Sequence, residues 1–270
     1  MPELPEVETI VRELVSCGLV GKKILQVQIS SSKLIEKGDV SALVGAHVQR
    51  IYRHGKFIII ELDSNCWLLV HLRMTGKFFC DSPVAALMPY EKGRLIFSDR
   101  ALVFTDVRTF GRWYLTDQID TFLQSLGQDP FDPEFDKEHF FRAMRATKRQ
   151  LKALLLDQTV LAGIGNIYAD EALFLAHLHP LRPANSLTKK ESLKLLEAIM
   201  QVLNEGIEHG GSSLGKGKGN FKSIYGDFGK NQERFKVYQR TKQPCLNCGH
   251  PIQKIVVTQR STHFCHHCQN

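Results

Sequence analysis

Asp129-Pro130-Phe131-Asp132-Pro133 divides this sequence into two kinds of pattern. Proline fixes φ, has no N–H to give and biases the residue before it away from helix, so two Asp-Pro steps this close resist regular structure. Upstream, Leu25, Val27 and Ile29 alternate, and apolar runs stand at 57–62, 66–70, 94–97 and 101–104, separated by Gly, Asp, Ser and Asn. These short runs predict strands, and a β-sandwich or barrel-like lobe from about residue 22 to 115. Downstream the period turns helical near 137–146, 149–157, 166–178 and 188–205, then ends in a glycine-rich run at 206–219. The proline stretch is the expected domain boundary and hinge.

The chain begins with a helix signal. Pro5 suits the first helical position, Glu6 and Glu8 suit the positive end of the helix dipole, and Val7, Ile10, Val11 and Leu14 make one apolar face. Gly18 stops it. With 270 residues the chain exceeds the ~100–200 of one domain, which predicts two lobes. The fold class expected is α+β with two domains. A helix and β-sandwich occupy 1–128, a linker 129–134, a helical domain 135–230, and a small metal-bound ribbon 235–270. No apolar run approaches the ~18–20 residues of a membrane span, and acidic Glu3, Glu6 and Glu8 stand where a signal peptide carries positive charge. A cytosolic protein with no membrane partner is expected.

The formal charge of +7 is unevenly placed. Residues 215–270 hold 10 Lys/Arg against 2 Asp/Glu, and the rest of the chain 25 against 26. A basic segment of this kind suits a polyanion, because each phosphate neutralised releases counterions; a solvated basic face is the alternative.

Of seven cysteines, Cys17, Cys66 and Cys80 are scattered, whereas Cys245-x2-Cys248 and Cys265-x2-Cys268 are paired. Four thiolates at that spacing can close a tetrahedron around one structural Zn²⁺. Disulfides are the weaker explanation without a secretory signal. His250, His263, His266 and His267 lie nearby, but two matched knuckles need no histidine ligand. Between the pairs, 252–257 and the segment around Phe264 read as two strands, with Arg260, Ser261 and Thr262 at or beside their turn. An arginine there can fork onto a phosphate. A structural zinc has no open position for water, so its work is folding and presentation.

Met1-Pro2-Glu3-Leu4-Pro5-Glu6 places two prolines and two carboxylates before the first helical turn closes. If Met1 is removed, Pro2 presents a secondary amine beside the carboxylate of Glu3. Terminal amines have reference pKa values of about 7.7–8.0 against about 10.4 for lysine, so more of the amine is neutral and nucleophilic near neutrality. Attack on an aldehyde-like carbon gives an iminium, which is an electron sink. By composition alone a frayed start is the simpler reading.

Several blocks agree in order from end to end. Met1-Pro2-Glu3-Leu4-Pro5-Glu6-Val7-Glu8-Thr9 is followed by Asp157-Gln158, by Gly163-Ile164-Gly165-Asn166-Ile167-Tyr168 with Glu171, and by Gln259-Arg260-Ser261-Thr262-His263-Phe264-Cys265. Together they resemble the bacterial formamidopyrimidine-DNA glycosylases. The resemblance implies a monomeric base-excision repair enzyme of the bacterial cytoplasm and nucleoid, whose partner is double-stranded DNA holding oxidised purines or abasic sites. It implies Pro2 as the nucleophile that attacks C1′, Glu3 as the general acid in sugar-ring opening, and Lys56 as a phosphate contact and proton donor in β-elimination. Arg260 matches the ribbon arginine tied to phosphate binding and δ-elimination. Met74, in the block His71-Leu72-Arg73-Met74, and Arg108 and Phe110 match three residues that fill the hole left by an extruded base. His71, Lys152 and Asn166 are expected DNA contacts, the last two in a helix–two-turn–helix over 149–176. The loop 210–229 matches the segment that encloses the extruded base.

Three departures stand out. Met88-Pro89-Tyr90-Glu91-Lys92 replaces a common His-x-His segment, Thr109 replaces a second arginine, and the loop runs through Gly215-Lys216-Gly217-Lys218-Gly219. Two other readings compete: an endonuclease VIII-type glycosylase for oxidised pyrimidines, and a zinc-ribbon lesion sensor without catalysis.

Overall fold

The computed structural model describes residues 1–215 and 221–270. Lys216, Gly217, Lys218, Gly219 and Asn220, with most of the expected glycine-lysine run, lie outside the described residues. The chain forms two compact units, Met1–Leu123 with His209–Lys230, and Gln124–Glu208 with Asn231–Asn270. The segment 209–230, which the sequence assigns to the helical domain, belongs to the first unit. Its backbone is held there by carboxylates of the first helix, and Phe221 and Ile224 join the first core.

Helix α1 (Leu4–Ser16) opens the first unit. Glu3 is its N-cap and forms a reciprocal capping box with Glu6, so Pro5 stands at the second helical position and not the first. Both positions lack an intrahelical acceptor for their N–H, so proline costs nothing there. The predicted face of Val7, Ile10, Val11 and Leu14 is buried in the core, each fully buried aliphatic side chain contributing about 1.5–3 kcal/mol. Gly18, at φ +73°, follows the C-cap Cys17.

Nine strands follow: β1 (Gln26–Ile29), β2 (Ile35–Lys37), β3 (Val48–His54), β4 (Phe57–Leu62), β5 (Cys66–His71), β6 (Gly76–Asp81), β7 (Glu91–Ile96), β8 (Ala101–Asp106) and β9 (Arg112–Thr116). They form a four-stranded sheet, β1-β7-β8-β6, and a five-stranded sheet, β2-β9-β5-β4-β3, antiparallel except where β2 runs parallel to β9. The expected sandwich is present. Phe104 of β8 packs edge-on to Phe78 of β6 and Trp113 of β9, ring centroids 5.2 and 5.8 Å apart. Helix α2 (Ile119–Gln124) carries too few residues to show a period, and was not expected. Its Phe122 packs on Phe57 and Tyr114.

The second unit holds α3 (Lys137–Arg145), α4 (Leu151–Leu155), α5 (Asn166–Ala176) and α6 (Lys189–Glu208), then β10 (Gln253–Val257) and β11 (Arg260–Phe264). Asp136 caps α3 by accepting from the amides of Glu138 and His139. Helix α5 is buried nearly all round, so its apolar residues show little one-sided pattern. Phe174 of α5 packs with Val237, Cys245, Ile252 and Cys265, which seats the ribbon on that helix. No helix among the described residues is long and apolar enough to cross a membrane.

Candidate functional site

Pro2 and Glu3 are buried, while Met1 is 47% exposed. Glu6 organises this turn. One carboxylate oxygen accepts from the Glu3 amide at 2.7 Å, and the other from the Ser212 amide at 2.7 Å. Thus one buried side chain fixes the amino terminus and the start of the 209–230 segment together. Gly211 is required beside it: φ is +78°, and a Cβ would lie 2.8 Å from Glu6 Cγ.

Lys56 lies in the two-residue turn between β3 and β4, after Gly55 at φ +56°. Arg53 of β3 donates to the Gly55 carbonyl and, through Nε, to Glu8 of α1 at 3.1 Å. Glu8 and Arg53 therefore tie this turn to the first helix, and the Glu8 carboxylate, read from sequence as a dipole complement, is also a brace. His71 is buried at the end of β5, edge-on to Phe57. Burial, with Arg73 and Lys56 nearby, pushes its pKa down to about 3, so it is neutral at physiological pH. Its Nδ1 accepts from the Arg73 amide at 2.9 Å, which leaves the proton on Nε2 as a donor.

Met74, Arg108 and Phe110 come together at the surface. Arg108 Nη1 lies 2.9 Å from Met74 Sδ, and its guanidinium 4.7 Å from the centroid of Phe110. Met74 and Phe110 are 41% and 44% exposed, which core residues would not be. The buried carboxylate of Asp106 shapes their loops. It accepts from the Thr75 hydroxyl, from the Arg108 amide at 3.1 Å and from the Gly111 amide at 2.7 Å. Thr109, standing where the family pattern has a second arginine, adopts φ +57° inside that turn. A groove of about 460 Å³ is lined by Met1, Met74 and Phe110, with Arg73 and Arg112. The amino terminus and two of these three residues share it.

In the replaced His-x-His segment, Glu91 pairs with Arg94 at 2.8 Å, with both side chains under a tenth exposed. Arg94 also donates to the carbonyls of Ala85 and Ala86. This segment thus carries an internal ion pair that holds its own loop. A cavity of about 550 Å³ lies beside it, lined by Thr75, Lys77, Phe79, Tyr90, Lys222 and Phe228 among others.

In the second unit Gln158 clamps the turn before α5, accepting from the Gly163 amide and donating to the carbonyls of Leu156 and Ile164. Asn166, the first residue of α5, donates from Nδ2 to the Ser261 carbonyl at 2.9 Å. The phosphate role expected of Lys152 does not fit its position. Its side chain is fully buried, with Nζ bound to Asp170 at 2.5 Å and to the Asn166 carbonyl at 2.8 Å. Asp170 in turn accepts from the amide and Nδ1 of His263 in β11. Lys152 braces the ribbon against the helical turn from inside. Arg260 is exposed at the start of β11, directly after a turn in which Thr258 and Gln259 both have positive φ. A β-branched residue there is strained, and the strain sits next to the arginine that the turn presents.

The sulfurs of Cys245, Cys248, Cys265 and Cys268 all lie within 4.8 Å of one another. The pairs Cys245/Cys268 and Cys248/Cys265 are 3.9 and 3.4 Å apart. A tetrahedral zinc with ~2.3 Å bonds needs about 3.8 Å between sulfurs, whereas a disulfide needs ~2.05 Å. The residues fit one structural Zn²⁺.

Exposed Met74 and Phe110 with an arginine between them suit insertion into a base stack, which places the chain among proteins that act on duplex DNA. Comparison with known proteins narrows the class. The formamidopyrimidine-DNA glycosylase N-terminal domain matches residues 1–113, the H2TH domain of the same proteins 126–217, and the zinc finger found in FPG and IleRS 242–270. The formamidopyrimidine-DNA glycosylase of Protochlamydia amoebophila is 41% identical over all of this chain and 99% of its own, and that of Herpetosiphon aurantiacus 42% over the whole of both. Among solved structures, Lactococcus lactis Fpg with abasic-site DNA superposes with a TM-score of 0.89 and 37% identity over 99% of both chains. The same enzyme with Fapy-dG DNA gives 0.88 and 37% over the same span. The chain belongs to the formamidopyrimidine-DNA glycosylase family.

Proposed function

We propose that this protein is a bifunctional DNA glycosylase and abasic-site lyase of base-excision repair, removing 8-oxoguanine and formamidopyrimidines from duplex DNA with the Pro2 amine as nucleophile. The observation that carries this reading is the groove in which the amino terminus meets Met74 and Phe110. A base displaced from the stack by those side chains leaves its sugar facing the amino terminus. Met1 is exposed and open to removal; until it goes, the Pro2 nitrogen is an amide and cannot attack.

The free amine of Pro2 attacks C1′, and the glycosidic bond breaks with its electron pair leaving on the base. The Glu3 carboxylate takes the proton that the attacking nitrogen sheds and passes it to the ring oxygen as the C1′–O4′ bond opens, which forms the iminium. That cation acidifies C2′–H; loss of the proton expels the 3′ phosphate, and a second elimination expels the 5′ phosphate. Lys56 and neutral His71, coupled beside the first helix, hold the phosphate at the lesion, with Lys56 as proton donor in the first elimination. Arg260 and the Asn166 amide serve the backbone from the second unit. Arg108 donates to the orphaned cytosine while Met74 and Phe110 fill the gap. The cavity lined by Thr75, Lys77, Lys222 and Phe228 is of a size to take the extruded base. Zinc, held by the four cysteines, keeps the ribbon folded. The bacterial cytoplasm, at the nucleoid, is the expected place of action.

Borohydride trapping tests the assignment. The processed protein should become covalently linked to 8-oxoguanine duplex, and Pro2→Gly should reduce the linkage at least about a hundredfold, in line with loss of covalent catalysis. Full trapping by Pro2→Gly would move the nucleophile elsewhere. Preferential excision of thymine glycol would move the substrate to oxidised pyrimidines.

A further inference from the structure

The zinc tetrad leaves three nearby histidines unused. His250 lies two residues after Cys248, and His267 one residue before Cys268, so closing the two knuckles brings their rings together. The rings stack, centroids 4.4 Å apart and planes at 9°, and His266 stands edge-on to His250 at 5.8 Å. Gly249 at φ +77° turns the chain back, and the Cys245 amide donates to the His250 carbonyl, which fixes the backbone under the first imidazole. The Cys248 sulfur and one ring nitrogen each of His250 and His267 lie within 4.8 Å of one another. Cys248 is half-buried, and both histidines are exposed.

We propose that His250 and His267, with the Cys248 thiolate as a shared ligand, form a second and exchangeable metal site for a borderline divalent ion such as Zn²⁺, Co²⁺, Ni²⁺ or Cu²⁺. Imidazole and thiolate are the donors these ions prefer. Zinc held by four thiolates is formally doubly negative, which draws a second cation to its rim, and a thiolate keeps lone pairs with which to bridge two metals. Both side chains are at the surface, where rotation about the last side-chain bond brings the ring nitrogens to the ~2.0–2.1 Å that one shared ion needs. His266 is engaged differently, its Nδ1 lying 3.1 Å from Gln253 Nε2, and is left outside the ligand set. The proposal rests on the tetrad holding zinc, and the test reads the two sites separately.

The full chain, purified with its own zinc and dialysed against metal-free buffer, is titrated with Co²⁺ while zinc content is measured in the same samples. One zinc per chain should remain, and one Co²⁺ should bind with the absorption of mixed nitrogen and sulfur ligation. The double variant His250→Gln/His267→Gln should keep its zinc and bind Co²⁺ more than about tenfold more weakly. Unchanged Co²⁺ uptake by the variant, or none by the wild type, would overturn the second site. Cobalt bound without a sulfur charge-transfer band would overturn the shared thiolate. Loss of zinc from the variant would overturn the proposal differently, by making the histidines part of the first site.

Discussion

Two regions each set exposed side chains on a buried aspartate and a buried histidine, and they do so in opposite ways. Beneath Met74, Arg108 and Phe110, Asp106 is satisfied by a hydroxyl and two backbone amides, and His71 is held neutral beside Arg73 and Lys56. Beneath the ribbon turn, Asp170 takes a buried lysine and His263 together. The first arrangement shapes loops and leaves Met74, Arg108 and Phe110 in solvent. The second consumes Lys152 entirely, and what it presents is the neighbouring turn with Arg260. A lysine in a functional motif is thus as able to be a brace as a contact, and the ion pair with a buried aspartate marks Lys152 as the brace.

The largest effect should come from the second region. Lys152→Met leaves Asp170 buried without its cation, which typically costs about 3–5 kcal/mol. Equilibrium urea unfolding should show that loss, and a cost below about 1 kcal/mol would remove the contrast. If Lys152 were a phosphate contact, the variant would instead keep its stability and lose DNA affinity with a shallower salt slope.

His71 should give the next effect, through pH. Its ordinary pKa is 6.5, and in the folded protein it is about 3. Between those values the unfolded chain binds the proton and the folded chain does not, so stability is full above the unfolded value and falls as the pH falls. By pH 5 the loss should reach about 2 kcal/mol, at about 1.4 kcal/mol per unit. His71→Gln should flatten that limb; parallel stability–pH curves for the two proteins would contradict the assignment.

The smallest is Asp106→Asn, which turns one acceptor oxygen into a donor facing donors and should cost about 1–2 kcal/mol. We expect excision of 8-oxoguanine from paired DNA to fall about tenfold, equivalent to ~1.4 kcal/mol, with trapping at a preformed abasic site retained. Equal loss of both activities would show that Asp106 supports the whole unit and not the loops of Met74, Arg108 and Phe110.

Much of this was legible along the chain. The change from strand to helical period is legible, although the units divide at Leu123 and Gln124 and place Asp129-Pro130 inside the second, and the cysteine spacing presents a metal knuckle, because both signals depend on neighbours a few residues apart. Pro2 and Glu3 stand out as a candidate amine and carboxylate for the same reason, as adjacent groups. Helix α2 was not, being too short for a period, and the all-round burial of α5 blurred its face.

What only the tertiary structure decided is where each chemically capable side chain ends up. Lys56 and Lys152 are both buried lysines inside recognisable blocks, yet one lies at a hairpin turn near His71 and the other is locked inside a helical bundle. Glu6 reads as a helix-dipole carboxylate and is in fact the anchor of a backbone amide 206 residues away. Met74 and Phe110 stand in solvent, on two loops that Asp106 ties together through Thr75 and Gly111. By itself the sequence determined the periods, the knuckles and the candidate nucleophile. Burial and partnership depend on segments distant in the chain, and no local pattern carries them.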